Sequence, residues 1–179
     1  TFGELGIISF NGNKIITSGG GGCILTNNKD LAKKAKHITT TAKEPHKWNY
    51  AHNMIGYNYR MPNLNAALIV AQLEQLNGFL KNKKMLADKY KYFFQSIDIN
   101  FVTGLNGFKP NYWLNAIVLH NKKERDLFLD ETNSQGIMTR PIWTLMNKLP
   151  VFKDCQSGGL INSEYLEQRV VNIPSSVNQ

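Results

Sequence analysis

Three features of the amino-acid sequence predict an α/β fold: short apolar runs typical of strands, segments whose apolar residues recur at helical spacing, and an alternation of the two in the last part of the chain. There, strand-like runs at residues 100–102, 113–119 and 137–140 flank a helical pattern at 123–134, with Gly136 as its C-terminal cap. This alternation favours a sheet covered by helices on one face. The 179 residues are 42% hydrophobic and 19% charged, which is ordinary for a globular protein.

The first elements are two short strands joined by a polar, glycine-rich connection. Residues 6–10 and 23–25 are apolar runs, and Lys14 lies between them, five residues before four consecutive glycines at 19–22. A lysine at the edge of a sheet is partly desolvated, so its amine can serve as a nucleophile or Schiff-base partner. Glycines let the backbone approach an anionic ligand with its amide groups turned inward. The same pattern fits a hairpin whose lysine points into water, and spacing alone leaves both interpretations open.

The middle of the chain is predicted as a helix, a long loop and a pair of long helices. Residues 30–39 show helical spacing, with Asn28 or Asp30 able to cap the helix. Residues 39–59 are polar and aromatic without a sustained period. A loop of this length is uncommon in a compact domain unless it is functional, so we expect a lid or a subunit-contact loop.

A strongly helical pattern begins at Asn63, with Gly78 as the expected break. The residues expected to form its two buried apolar stripes are Ile69, Leu73, Leu76 and Leu80, followed by Leu86, Tyr90, Phe93, Phe94 and Ile97. The lysines expected to lie on the opposite, solvated face are Lys81, Lys83, Lys84, Lys89 and Lys91.

The composition carries a surplus of positive charge, with a formal net charge of +8 and an isoelectric point near 9.5. Basic surfaces gain affinity for nucleic acid by releasing counterions from phosphates. The aromatic residues near the helix lysines have the spacing of a buried stripe rather than of a stacking platform, which favours a solvated helix face over a nucleic-acid groove. An anionic small substrate would be served by the same charge.

Membrane, disulfide and metal signals are weak in this sequence. No run approaches the roughly 18 to 20 apolar residues that span a bilayer, and the first residues do not have a signal-peptide pattern, so we expect a cytoplasmic protein without a membrane partner. Cys23 and Cys155 are too few for a disulfide framework, and no Cys/His spacing is typical of zinc sites. We therefore expect two free thiols and no metal.

Two segments carry a resemblance to a known family. Residues 9–22, with the sequence SFNGNKIITSGGGG, closely resemble the cofactor-lysine segment of the DegT/DnrJ/StrS sugar aminotransferases, which are pyridoxal phosphate (PLP) enzymes of fold type I. Residues 56–68, GYNYRMPNLNAAL, followed by QLEQL at 72–76, resemble the second signature of that family. Residues 139–143 and 170–176 are also similar to family features, particularly of the branch that aminates sugars on the way to bacillosamine and legionaminic acid.

The resemblance spans essentially the whole chain and implies the C-terminal half of a fold-type-I PLP aminotransferase. The chain begins without methionine and enters a strand almost at once, which agrees with this expectation. Residues 1–62 would complete the large PLP-binding domain, residues 63–97 would form connecting helices, and residues 98–179 would form the small α/β domain. The carboxylate that pairs with the pyridine nitrogen in this family would lie upstream of these residues.

The resemblance also implies roles for individual residues. Lys14 matches the lysine that bonds PLP covalently and then moves the proton during transamination. Relatives that dehydrate sugars carry histidine there, so lysine favours transamination. Ser9 matches the serine that reaches the cofactor phosphate, and Asn58 matches an asparagine that reaches the partner subunit's cofactor, while a strand-end serine and a turn asparagine remain the alternatives. Gly20 stands where many relatives have glutamate, so any role of that acid is missing here.

Five further residues are candidates for substrate binding. Arg60 could bind a carboxylate or phosphate through two parallel hydrogen bonds, or it could brace the loop. His46 and His52 could face the sugar or its diphosphate. Arg140 and Trp143 could line the nucleotide side of the pocket, with a surface ion pair and ordinary packing as the alternatives.

The function implied by the resemblance is transfer of an amino group, with glutamate as the expected donor, to a keto nucleotide-sugar. Carbon 4 of a UDP- or GDP-linked deoxysugar is the expected acceptor, in the biosynthesis of a surface polysaccharide or glycan. The enzyme would be a cytoplasmic homodimer with a shared active site and no nucleic-acid partner. The alternatives are a different PLP reaction on the same fold and a non-catalytic basic regulatory or DNA-binding module.

Overall fold

The structure, a computed structural model, describes residues 2–177 and divides into two compact units, one up to Asn77 and one from Gly78 onward. The three-part division expected from the sequence, with limits at residues 62 and 97, stays a prediction.

The first unit contains two strands and two helices. The two predicted strands are present, and β1 (Gly6–Ser9) pairs antiparallel with β2 (Gly22–Leu25), as the hairpin interpretation had it. Helix α1 spans Lys29–Thr39, and α2 spans Asn63–Glu74. Of the two residues expected to cap α1, Asn28 and Asp30, the cap is Asn28, because its side-chain oxygen accepts the amides of Asp30 and Leu31.

The segment between α1 and α2 folds back on itself. Its backbone forms isolated antiparallel β-bridges between Thr40 and Asn58 and between Lys43 and His52. The two ends of the loop are therefore held together by backbone pairing, and we call this paired part the base of the loop. Gly56 packs against this base so closely that a Cβ atom there would lie 2.5 Å from the carbonyl carbon of Thr41. These contacts explain why the predicted loop has no helical or strand period.

We expect Gly56→Ala to destabilise the protein by about 1 kcal/mol or more, because the added methyl group overlaps backbone atoms that cannot move without opening the base of the loop. The matched control is Gly78→Ala, a helix position where a Cβ would meet nothing within 4 Å and where alanine should stabilise the helix. Urea unfolding of both variants checks this expectation. Equal or greater stability of Gly56→Ala would show that the close approach is not real.

The second unit is an antiparallel sheet with helices. Helix α3 spans Leu76–Ser96, so the break from α2 falls at Gln75 rather than at Gly78. The other elements are β3 (Asn100–Phe101), β4 (Asn115–Val118), α4 (Lys122–Ser134), β5 (Arg140–Pro141), α5 (Ile161–Glu167) and β6 (Val170–Ile173), with 3₁₀ turns at Met146–Lys148 and Pro150–Phe152. The sheet order is β3-β4-β6-β5.

The core of the second unit lies between α3 and this sheet. Buried side chains that form one cluster are Ala87, Phe94, Phe101, Ile117, Leu119, Val171 and Ile173. Leu73, Phe93 and Ile97 are exposed, so the sequence expectation for these three residues was wrong. Lys83 was also misplaced, because it is only 5% exposed and occupies the buried side of α3, in line with Ala87.

The strand expected at residues 137–140 begins later than predicted. Helix α4 ends in a Schellman cap in which Ile137 N–H donates to the Thr132 carbonyl (2.8 Å) and Gly136 N–H donates to the Asn133 carbonyl (3.0 Å). The cap uses the first residue of the expected strand, and pairing starts only at β5.

Candidate active site

Lys14 lies at the tip of a closed loop between β1 and β2. Phe10 N–H donates to the Gly21 carbonyl (2.9 Å), and Ser18 N–H donates to the Phe10 carbonyl (3.1 Å), which joins the two legs of the loop. Lys14 N–H donates to the Asn11 carbonyl (3.0 Å), so the tip is a tight turn. The Lys14 residue is half-buried. The chain therefore holds a primary amine on a short loop whose two legs are joined by backbone hydrogen bonds.

Two hydroxyl groups fix the glycine-rich leg of this loop. Thr17 Oγ1 donates to the Phe10 carbonyl (3.1 Å) and accepts a hydrogen bond from Gly19 N–H (2.9 Å). Ser18 Oγ donates to the Gly20 carbonyl (2.6 Å). Gly19 has φ of +81°, a value that suits glycine and lets this leg turn. These contacts within the loop hold its glycine-rich leg in one conformation.

Ser9 and Lys14 are linked through the backbone of Asn11. Asn11 N–H donates to Ser9 Oγ (3.3 Å), and the carbonyl of Asn11 accepts the Lys14 amide. This contact uses an acceptor lone pair of the Ser9 hydroxyl, which also carries one O–H donor. A hydroxyl donor and an amine on one turn are a set of groups that suits a phosphate-bearing aldehyde, and PLP therefore fits the residues present.

Sequence reasoning missed a side chain that reaches this loop from α2. Asn65 Nδ2 donates to the Ser18 carbonyl at 2.7 Å, across 47 residues of chain. Asn65 falls within the second family-like segment, but a polar residue in the first turn of a helix gives no sign of such a distant partner.

Arg60 braces the base of the long loop, which is one of its two interpretations from sequence. Arg60 Nη2 donates to the Thr40 carbonyl (3.1 Å), and Nη1 donates to Asn58 Oδ1 (3.5 Å). Asn58 is exposed and holds the loop base through its bridge to Thr40. The cross-subunit role of Asn58 stays a prediction, as does substrate binding by Arg60.

The two loop histidines each use Nδ1 inside the loop. His46 Nδ1 accepts from the amides of Trp48 (3.3 Å) and Asn49 (2.9 Å), so this nitrogen carries no proton. His52 Nδ1–H donates to the Thr41 carbonyl (2.7 Å), which fixes the opposite tautomer. Both side chains are exposed, and Nε2 is the ring atom that each could turn to a ligand.

Arg140 and Trp143 lie in the second unit, and the structure does not bring them together with Lys14 within one unit. Arg140 is exposed on β5, where Nη2 contacts Met138 Sδ at 3.7 Å, and Trp143 is 67% exposed. Their contribution to a substrate pocket stays a prediction.

A groove of about 900 Å³ lies beside the loop in the first unit. Its wall includes the apolar side chains of Ile8, Ile24, Leu25, Ala32, Ala35 and Met61, together with the glycine run. Lys14, Ser9 and Asn58 are not among the residues that line it. The groove therefore does not define the amine site, which depends on the loop itself.

Residues 2–177 contain no group of three or more His, Cys, Asp or Glu side chains arranged to hold a metal ion. None of the helices in this range is both long and apolar enough to cross a membrane. Cys23 and Cys155 are free thiols, as expected.

Comparison with known proteins places this site in context. The model of the DegT/DnrJ/EryC1/StrS aminotransferase family matches residues 1–178. A GDP-perosamine synthase of Escherichia coli O157:H7 is 35% identical over 98% of this chain and 47% of its own length, and one of Vibrio cholerae is 32% identical over 98% and 48%. EpsN of Bacillus subtilis (strain 168), whose name assigns it provisionally to the pyridoxal phosphate-dependent aminotransferases, is 34% identical over 85% of this chain and 39% of its own.

Solved structures agree with the fold. Helicobacter pylori PseC, described as an aminotransferase involved in the biosynthesis of pseudoaminic acid, matches with a TM-score of 0.91 at 20% identity over 99% of this chain and 49% of its own. The aminotransferase TlmJ from Streptoalloteichus hindustanus matches with a TM-score of 0.91 at 18% identity over 98% and 48%. At these identities the likeness establishes the fold alone, and the expected α/β fold of part of a fold-type-I aminotransferase chain is confirmed. The chain spans about half the length of the relatives it matches.

Proposed function

This chain belongs to the DegT/DnrJ/EryC1/StrS aminotransferase family, and from that premise we propose that the intact protein is a PLP-dependent aminotransferase that aminates a keto nucleotide-sugar. The observation that carries the proposal is the position of Lys14, which places a half-buried primary amine at the tip of a cross-linked loop. When bound, PLP supplies an aldehyde that carries the amino group and a ring that stabilises negative charge on the reacting carbon.

The residues of this chain would divide the work. Lys14 would hold the cofactor through its amine, and the same amine would serve as the base that carries a proton during the reaction. Ser9 would donate its hydroxyl hydrogen to the cofactor phosphate, without adding charge. A loop held by backbone hydrogen bonds keeps both groups in place, which lowers the entropic cost of reaching the reacting geometry.

The proposed acceptor is a GDP- or UDP-linked deoxysugar aminated at carbon 4, with glutamate as donor, in a cytoplasmic pathway of glycan biosynthesis. GDP-perosamine synthases recur among the similar proteins, which supports a nucleotide-linked sugar as the acceptor. The carbon position, the donor and the setting rest on the family resemblance. His46, His52, Arg60, Arg140 and Trp143 are the substrate-binding candidates of this proposal. For His46, the Nε2–H of the neutral ring is the donor that a diphosphate oxygen would meet.

The long loop supports a homodimer with a shared active site. Trp48, Tyr50 and Ile55 are 74%, 78% and 83% exposed, although such side chains are favourable to bury. Lys43 Nζ lies 3.7 Å from the centre of the Tyr50 ring, so the loop also carries positive charge beside its aromatic surface. A second copy of the protein is the proposed partner, and Asn58 at the loop base would contribute to the neighbouring site.

A half-reaction tests the proposed chemistry. The intact, PLP-loaded protein mixed with glutamate alone is expected to release about one equivalent of 2-oxoglutarate per cofactor site, because the amino group has no acceptor and the reaction stops. A keto nucleotide-sugar added afterwards should restart the release. Bound cofactor with no 2-oxoglutarate from glutamate or other amino donors would favour a different PLP reaction on this fold.

A further inference from the structure

A side-chain hydrogen bond connects helix α2 to a backbone carbonyl of the lysine loop. Asn65 Nδ2 donates to the Ser18 carbonyl at 2.7 Å, in partly buried surroundings, and Ser18 itself is only 4% exposed. Asn65 lies in the first turn of α2, where the backbone is held by the helix. The donor is therefore presented from a rigid element to a loop that also contains a run of glycines.

Ser18 connects every part of that loop. Its N–H donates to the Phe10 carbonyl, its hydroxyl donates to the Gly20 carbonyl, and its own carbonyl accepts from Asn65. Three residues separate it from Lys14. A shift of Ser18 would therefore move both legs of the loop and the turn that carries the amine.

Resting on the proposed function, we propose that Asn65 is a positioning residue for transamination. Its amide holds Ser18, and through the loop it keeps the Lys14 amine where bond formation and proton transfer require it, without touching the cofactor itself. Lysine has a long flexible side chain, so fixing its backbone narrows the range of positions that the amine can sample. Misplacement by about 1 Å is enough to cost up to about 100-fold in rate.

The test compares Asn65→Asp with Asn63→Asp in the intact protein. Both variants add one negative charge to the first turn of α2, which favours the helix, and both keep the size of the side chain. Only Asn65→Asp removes the donor to Ser18, because Asn63 is an exposed residue of the same turn. The pair therefore separates the hydrogen bond from any effect on the helix.

The first readout needs no cofactor. Hydrogen exchange of the apoprotein is expected to be about tenfold faster in Asn65→Asp at the amides of Phe10, Ser18 and Gly19, and unchanged in Asn63→Asp. Equal exchange in the two variants would overturn the proposal.

The second readout uses the PLP-loaded protein. Asn65→Asp should lower kcat by about 10- to 100-fold and weaken PLP binding, with the KM for glutamate changed by less than about twofold, and Asn65→Gln should recover part of the loss. Faster exchange with an unchanged kcat would refute the positioning role. A wild-type protein that forms no bond between Lys14 and PLP would instead refute the proposed function, and the exchange result would still decide the Asn65 contact. If Asn65→Asp fails to fold, the same exchange and kcat measurements on Asn65→Ser, which shortens the side chain without adding charge, decide the question.

Discussion

Lys14→Ala in the intact protein is expected to abolish amino transfer, with a loss of at least about 10²- to 10⁴-fold from proton transfer alone. The variant should retain its fold, because contacts of Phe10, Thr17 and Ser18 close the loop. The measurement is the rate of 2-oxoglutarate release from glutamate, together with the absorption of the bound cofactor in the near ultraviolet and visible range.

Two further variants serve as comparisons for Lys14→Ala. Lys14→Arg keeps the positive charge, but its guanidinium cannot form the covalent bond, so it should be as inactive as alanine. Lys34→Ala removes an exposed lysine from α1 and should leave the rate unchanged. Turnover of Lys14→Ala within about tenfold of wild type would exclude a covalent role for this residue.

Lys83→Met is expected to destabilise the second unit by about 3 kcal/mol or more. Lys83 Nζ donates to the carbonyls of Ser175 (2.5 Å), Trp113 (3.3 Å) and Tyr112 (3.4 Å), and all three would lose this donor. A buried polar group without its partner costs about 1–3 kcal/mol. Urea unfolding checks the expectation, with Lys84→Met as the control, because the exposed Lys84 forms its ion pair with Asp88 on the helix surface.

The contributions of Lys83 and Lys84 to the unfolding free energy should change in opposite directions as the pH rises. Burial lowers the pKa of Lys83, so between that lowered value and the unfolded value of about 10.4 the unfolded chain holds more protons. The unfolding free energy of the wild type should therefore increase relative to that of Lys83→Met as the pH rises through this window. The hydrogen bond to Asp88 raises the pKa of Lys84, so the contribution of Lys84 is present below the unfolded pKa and lost as the pH rises through the folded pKa.

A Lys83→Met variant as stable as Lys84→Met would show that the three hydrogen bonds of Lys83 to backbone carbonyls contribute little to stability.

Local signals in the sequence were enough to predict most of the elements. The Asn28 cap, the glycine after α4 and the apolar runs of β1, β2 and β4 each depend on neighbours along the chain. The start of β5 could not be predicted in the same way. Whether Ile137 continues a strand or completes a helix cap depends on a carbonyl five residues earlier, which hydrophobicity does not report.

The candidate site was predictable to a more limited extent. Lys14 could be identified because the residues around it resemble a known segment, yet spacing alone left a solvated hairpin open. The closed loop, which depends on contacts of Phe10 with Ser18 and Gly21, became visible only in three dimensions. Lys83 and Asn65 were missed for the same reason, since their partners are carbonyl groups far along the chain and any residue can supply a carbonyl.

Borohydride reduction of the intact, PLP-loaded protein, followed by peptide mass mapping, tests the central claim most directly. We expect one phosphopyridoxyl group per chain, attached to Lys14. An adduct on a different lysine, or a cofactor that binds and supports turnover without any adduct at position 14, would contradict the account.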